Sequence, residues 1–128
     1  MVGLLALAAN LLLDEHTRGA HWAARALTAA TQRLIAGQAL DLGFEQRDHV
    51  TLDECLAMAA DKTGALLACA CSIGAMLGEG PARLVTALTG FGSELGLAFQ
   101  LVDDLLGVWG SPGTTGKPVL SDLRARKK

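Results

Sequence analysis

The stretch FQLVDDLLGVWG, Phe99 to Gly110, sets two neighbouring carboxylates, Asp103 and Asp104, in one of the most apolar runs of the chain. On a helix, Gln100 lies three residues before Asp103 and four before Asp104, so the three share one side. Leu101, Val102, Leu105, Leu106 and Trp109 fill much of the rest of the surface. Ionised carboxylates are costly among such neighbours unless something neutralises them. A divalent cation would do so: hard carboxylate oxygens suit Mg²⁺, which keeps waters and accepts phosphate oxygens as further ligands. Lys117, in the loop GSPGTTGKP, would bring the positive charge that a phosphate requires. The plain alternative is a helix end whose aspartates face water.

Two further features, beside the Lys117 loop, bear on that choice. In GQALDLGFE, Gln38 and Asp41 stand three apart within an apolar helix. In DKTGALLA, Lys62 and Thr63 fall where Gly64 marks a kink or a helix boundary. Each has a bland counterpart: a polar pair at a helix end, a solvated lysine, a flexible loop.

The elements that must carry these residues read as helices. Hydrophobic residues make up 51% of 128, aromatics only 4%, and Ala and Leu dominate, a composition of helix formers rather than sheet formers. The net charge of −2 points to no nucleic acid, and one domain at most fits this length. Cys55, Cys69 and Cys71 read as reduced, buried thiols of a cytoplasmic protein. The opening run, MVGLLALAANLLL, is too short to cross a bilayer and has no basic residue before it, so it reads as a buried core helix, Val2 to Leu13.

A second helix is expected from Ala20 to about Glu45, with Trp22, Ala26, Ala29, Ala30, Leu34 and Ile35 near helical spacing. Thr51 and Glu54 form a capping box that opens a third. Pro81 suits the first turn of a helix reaching Trp109, where Gly90, Gly92 and Gly96 would allow close approach of a neighbour. GSPGTTGKP reads as a loop, and SDLRARKK as the opening of another helix capped by Ser121 or Asp122. The expectation is an all-α bundle of four to five long helices.

Taken in order, GQ…D, KT, FQ…DD and GK…D resemble the C-terminal half of the trans-isoprenyl diphosphate synthase (polyprenyl synthetase) family across essentially the whole chain. The resemblance implies the all-α class I isoprenoid synthase fold, here as a single partial domain over residues 1–128, with helices around an apolar cavity. Asp103 and Asp104 match the start of the family's second aspartate-rich motif, DDxxD, which binds Mg²⁺. Lys62 and Lys117 match lysines that hold the diphosphate of the allylic substrate. Thr63, Gln38 and Gln100 match polar residues lining the same site, and Phe99 the aromatic beside it. Two departures stand out. Gly107 replaces the third aspartate of the motif, and the family's first aspartate-rich motif has no counterpart in these residues.

The activity implied is Mg²⁺-dependent prenyl transfer from an allylic diphosphate to isopentenyl diphosphate, with Asp103, Asp104 and Lys62 as the catalytic residues and a homodimer as the assembly. Half of the metal site being absent, this polypeptide alone is expected to be poorly active. A class I terpene cyclase on the same fold, and a non-catalytic helical subunit of a prenyl synthase, remain alternatives. Product chain length is not legible here.

Overall fold

The computed structural model describes residues 2–116, 118 and 120–124. Helix α1 spans Val2–Leu13 and α2 Arg18–Phe44. A continuous helical rod follows, made of α3 (Leu52–Ala59), one π-turn (Ala60–Gly64) and α4 (Ala65–Leu77). Helix α5 spans Ala82–Trp109, and two single turns, α6 (Pro112–Thr115) and α7 (Ser121–Arg124), close the chain. There is no strand among the described residues.

The ends are set locally. The Thr17 hydroxyl accepts from Ala20 N and starts α2. At α3 both halves of the capping box form: Glu54 N donates to Thr51 Oγ1, and Thr51 N donates to the Glu54 carboxylate at 2.8 Å. Arg47 also donates to Glu54, at 2.7 Å, and this bond comes first among the causes that hold its pKa at about 2.

Helix α4 packs most extensively on α5 and next on α2, and these three form the frame of the molecule. The buried face of α2 runs Ala20, Ala23, Leu27, Ala30, Leu34, Gly37, Asp41 and Phe44, alternating steps of three and four. Of the positions expected on one face, Ala30 and Leu34 are buried and Ala26 is half-buried, whereas Ala29 is exposed and Trp22 and Ile35 are each 61% exposed, because they fall outside this row of three- and four-residue steps. The core joins Leu12, Ala23, Leu27, Ala30, Ala65 and Cys69.

Other expectations need correction. Helix α1 is not a buried core helix: Leu12 is buried, but Leu4, Leu7, Leu11 and Leu13 are exposed, since α2 is its principal neighbour. Cys69 is buried, and burial raises its thiol pKa, whereas Cys55 and Cys71 are half-buried; none of the three is in a disulfide. Pro112 starts a helical turn inside the expected loop, its fixed φ suiting a first helical position. Ser121 lies in α7 rather than before it. Gly90 meets no neighbour, while Gly92 and Gly96 do. Two helical stretches, Leu52–Leu77 and Ala82–Trp109, are long and apolar enough to cross a membrane by length and composition; here they pack against each other.

Candidate functional site

Lys62, Thr63, Gln100 and Asp104, four of the residues singled out by the sequence, are joined by bonds where the π-turn lies between the C-terminal halves of α2 and α5. The π-turn replaces one α-helical turn, the amide of Ala65 donating to the carbonyl of Ala60, five residues back. Such turns are rare and recur at functional sites. Its residues divide between two neighbours. Asp61 accepts from Arg33 Nε of α2 at 2.7 Å, and Lys62 Nζ donates to Asp41 Oδ2 of α2 at 2.7 Å. Thr63 turns the other way and donates to Gln100 Oε1 of α5 at 2.6 Å.

Gln100 then passes the contact along α5: its Nε2 donates to Asp104 Oδ1 at 2.8 Å, one turn on. The amide is thus oriented by a hydroxyl on one side and a carboxylate on the other. Asp104 is half-buried, and burial is the main cause that raises its pKa. The Gln100 bond acts the other way; the charges of Asp103 and Asp122 add to the rise, and Lys62 opposes it. Each effect follows from what stabilises or disfavours the ionised form.

Asp41 has a side chain only 4% exposed and takes the Lys62 ammonium, which is 26% exposed. Sequence reasoning placed Asp41 beside Gln38 without assigning it a role. Asp41 stands one turn after Gly37, on the face of α2 that meets the π-turn, a meeting that only the fold reveals. Gln38 itself is exposed and takes no part in the bonds joining the others. Phe99 is exposed, and Asp103 is half-buried. Lys117 lies outside the described residues.

Gly107, the departure from DDxxD, has an unforeseen neighbour. A Cβ at this position would overlap the Asp122 carboxylate, which α7 lays across the helix there. A carboxylate thus fills the space above Gly107, but from a different element.

Among the described residues no three His, Cys, Asp or Glu side chains gather around one point. Asp103 and Asp104 are neighbouring hard oxygen donors on α5, Asp104 with one oxygen accepting from Gln100. Such a pair fits Mg²⁺, which takes one or two carboxylates and completes its octahedron with water and phosphate.

These features define a helical protein with a mixed acidic and basic site at one end of its bundle. Comparison with known proteins gives the class. The polyprenyl synthetase family model matches residues 2–128, and the chain belongs to that family. It is 54% identical over 125 residues to the (2E,6E)-farnesyl diphosphate synthase of Mycobacterium tuberculosis, covering 98% of this chain and 35% of that protein. It is 50% identical over 105 residues to a geranylgeranyl diphosphate synthase of the same organism, covering 82% of this chain and 30% of that one. A solved polyprenyl synthetase from Streptomyces coelicolor A3(2) superposes with a TM-score of 0.90 at 56% identity, over 96% of this chain and 36% of its own. The all-α isoprenoid synthase fold is thereby shown, as a part: the chain spans about a third of the length of the curated relatives it matches.

Proposed function

We propose that this chain carries one side of the active site of an isoprenyl diphosphate synthase that transfers a prenyl group from an allylic diphosphate to isopentenyl diphosphate. The observation that carries the reading is the bonded line Thr63–Gln100–Asp104 joining the π-turn to α5, with Lys62 beside Thr63 on the turn and Asp103 beside Asp104 on the helix, in a chain whose relatives are named farnesyl and geranylgeranyl diphosphate synthases.

Ionisation of an allylic diphosphate requires stabilising a strongly anionic leaving group. Asp103 and Asp104 would hold Mg²⁺, which when bound supplies positive charge to the leaving diphosphate. The chain's own residues do the rest. Lys62 offers its ammonium to the diphosphate oxygens, with Asp41 fixing where that ammonium stands. Thr63 and Gln100 hold the Asp104 carboxylate in place, and Lys117 adds a second cation. The reading includes a cytoplasmic location, supported by three cysteines outside disulfides, and a homodimer, supported by the exposed Leu4, Leu7 and Leu11 of α1.

Isothermal titration with inorganic diphosphate in Mg²⁺ tests the site. The double substitution Asp103→Asn, Asp104→Asn is expected to abolish Mg²⁺-dependent binding with helicity nearly unchanged. Equal binding by parent and variant would make the aspartates a solvated helix end.

A further inference from the structure

The π-turn is approached from both sides by backbone without side chains. A Cβ on Gly37 of α2 would stand 2.7 Å from Lys62 Cα and 2.9 Å from the Asp61 carbonyl carbon. A Cβ on Gly96 of α5 would stand 2.6 Å from Gly64 Cα and 3.3 Å from the Thr63 carbonyl oxygen. Both separations lie well inside van der Waals contact. One residue more than an α-turn widens the backbone sideways, and the widening needs room.

Gly37 and Gly96 provide that room, and each stands one turn before a polar side chain that grips the same π-turn. Four residues after Gly37 comes Asp41, which takes Lys62; four after Gly96 comes Gln100, which takes Thr63. We propose that Gly37 and Gly96 are positioning residues of the diphosphate site, clamping Ala60–Gly64 between α2 and α5 so that Lys62 is aimed at Asp41 and Thr63 at Gln100. The two glycines set where the backbone of the turn stands, and the two side chains one turn on then set its rotation. The consequence for the ligand rests on the function proposed above; the clamp itself does not.

Two other glycines supply the control. A Cβ on Gly92 would stand 2.7 Å from Ala68 Cα, and one on Gly19 would stand 2.9 Å from Leu77 Cα, so both are comparably tight but face regular α-helix. Gly37→Ala, Gly96→Ala, Gly92→Ala and Gly19→Ala are made in the full chain. Each is titrated with inorganic diphosphate in Mg²⁺ at the same interval below its own Tm. The first two are expected to lose about tenfold or more in affinity, the scale of one charge-assisted hydrogen bond, and the last two to stay near the parent. Equal losses across all four would overturn the positioning role.

Hydrogen exchange on the unsubstituted chain tests the clamp without variant or ligand. The amides of 61–65 are expected to exchange within about tenfold of those in the core of α4, because a clamped turn opens only when the helices part. Exchange about a hundredfold faster would mean an unclamped turn and would overturn the proposal. Absence of diphosphate binding by the parent would count against the proposed function, and the exchange result would still decide the clamp.

Discussion

At both ends of the contact between α2, α4 and α5, a glycine on one helix lets the backbone of another come unusually close. At the end holding Gly19 the facing helix is regular, as it also is opposite Gly92 one turn from Gly96, and the apolar core joins Ala23, Leu27, Ala30 and Cys69. At the end holding Gly37 and Gly96, the facing helix breaks its period, and the surroundings are Asp41, Lys62, Thr63 and Gln100. Close approach is therefore common to stability and to function in this molecule. What distinguishes the functional end is a change of helical period that sends consecutive side chains to different partners. The first end spends its proximity on burying apolar surface, the second on orienting charge.

The contrast makes four tests, of which substitution at the apolar end should have the largest effect on stability. Leu27→Ala removes a buried side chain that touches the core cluster and should cost about 3 kcal/mol, read by urea denaturation. Diphosphate affinity should be kept wherever the variant is folded. A parallel loss of affinity would show that the two ends are not separable.

Lys62→Met reverses that pattern. It leaves the buried Asp41 carboxylate without its ammonium, and should cost roughly 2 kcal/mol, below the penalty for a fully buried pair because Lys62 reaches solvent. Asp41→Asn should cost less, since the ammonium left behind can hydrate. The same denaturation series measures both, and a larger loss for Asp41→Asn would mean that the lysine, not the aspartate, is the desolvated partner.

Thr51→Ala, at the start of the rod that carries the π-turn, should cost about 1 kcal/mol by removing one side of the capping box. It should leave both ends otherwise intact, as judged by helical circular dichroism and diphosphate titration.

The smallest effect concerns pH. Glu54 titrates at about 2 rather than at the ordinary 4.5, chiefly through its bond to Arg47. Its folded pKa is depressed, so its contribution is present above about 4.5 and lost as pH falls toward 2. The stability difference between the parent and Glu54→Gln should therefore shrink across that window, followed by thermal denaturation at each pH. A difference that grew with acidity would contradict the capping role.

What the sequence made legible was local or periodic. Thr51 and Glu54 announce their helix because both bonds of the capping box close within one turn. The alignment of Gln100 with Asp104 follows from a four-residue step. The π-turn was visible only as a kink at Gly64, because nothing in the composition of ADKTG sets five-residue hydrogen bonding apart from four. On α2 the spacing locates Ala30 and Leu34 in the core but not the edge of the buried face, because Trp22, Ala29 and Ile35 are apolar yet lie beyond it. The Asp41–Lys62 pair and the seat of Asp122 on Gly107 join residues far apart in the chain, and no local pattern announces such a meeting.

That seat has a consequence in time. Helices α2, α4 and α5 make their mutual contacts without α7, whereas Asp122 reaches Gly107 only after the chain has run through α6 and folded back. During synthesis from the N-terminus the contacts among α2, α4 and α5 can form before Asp122 emerges, and its carboxylate joins a surface already laid down by them. A chain stopped after Gly110 should consequently keep nearly all of its helical signal while losing the negative charge that Asp122 lends to the neighbourhood of Asp104. Packing of the three helices and the arrival of that charge are thus separate events, written in that order along the polypeptide.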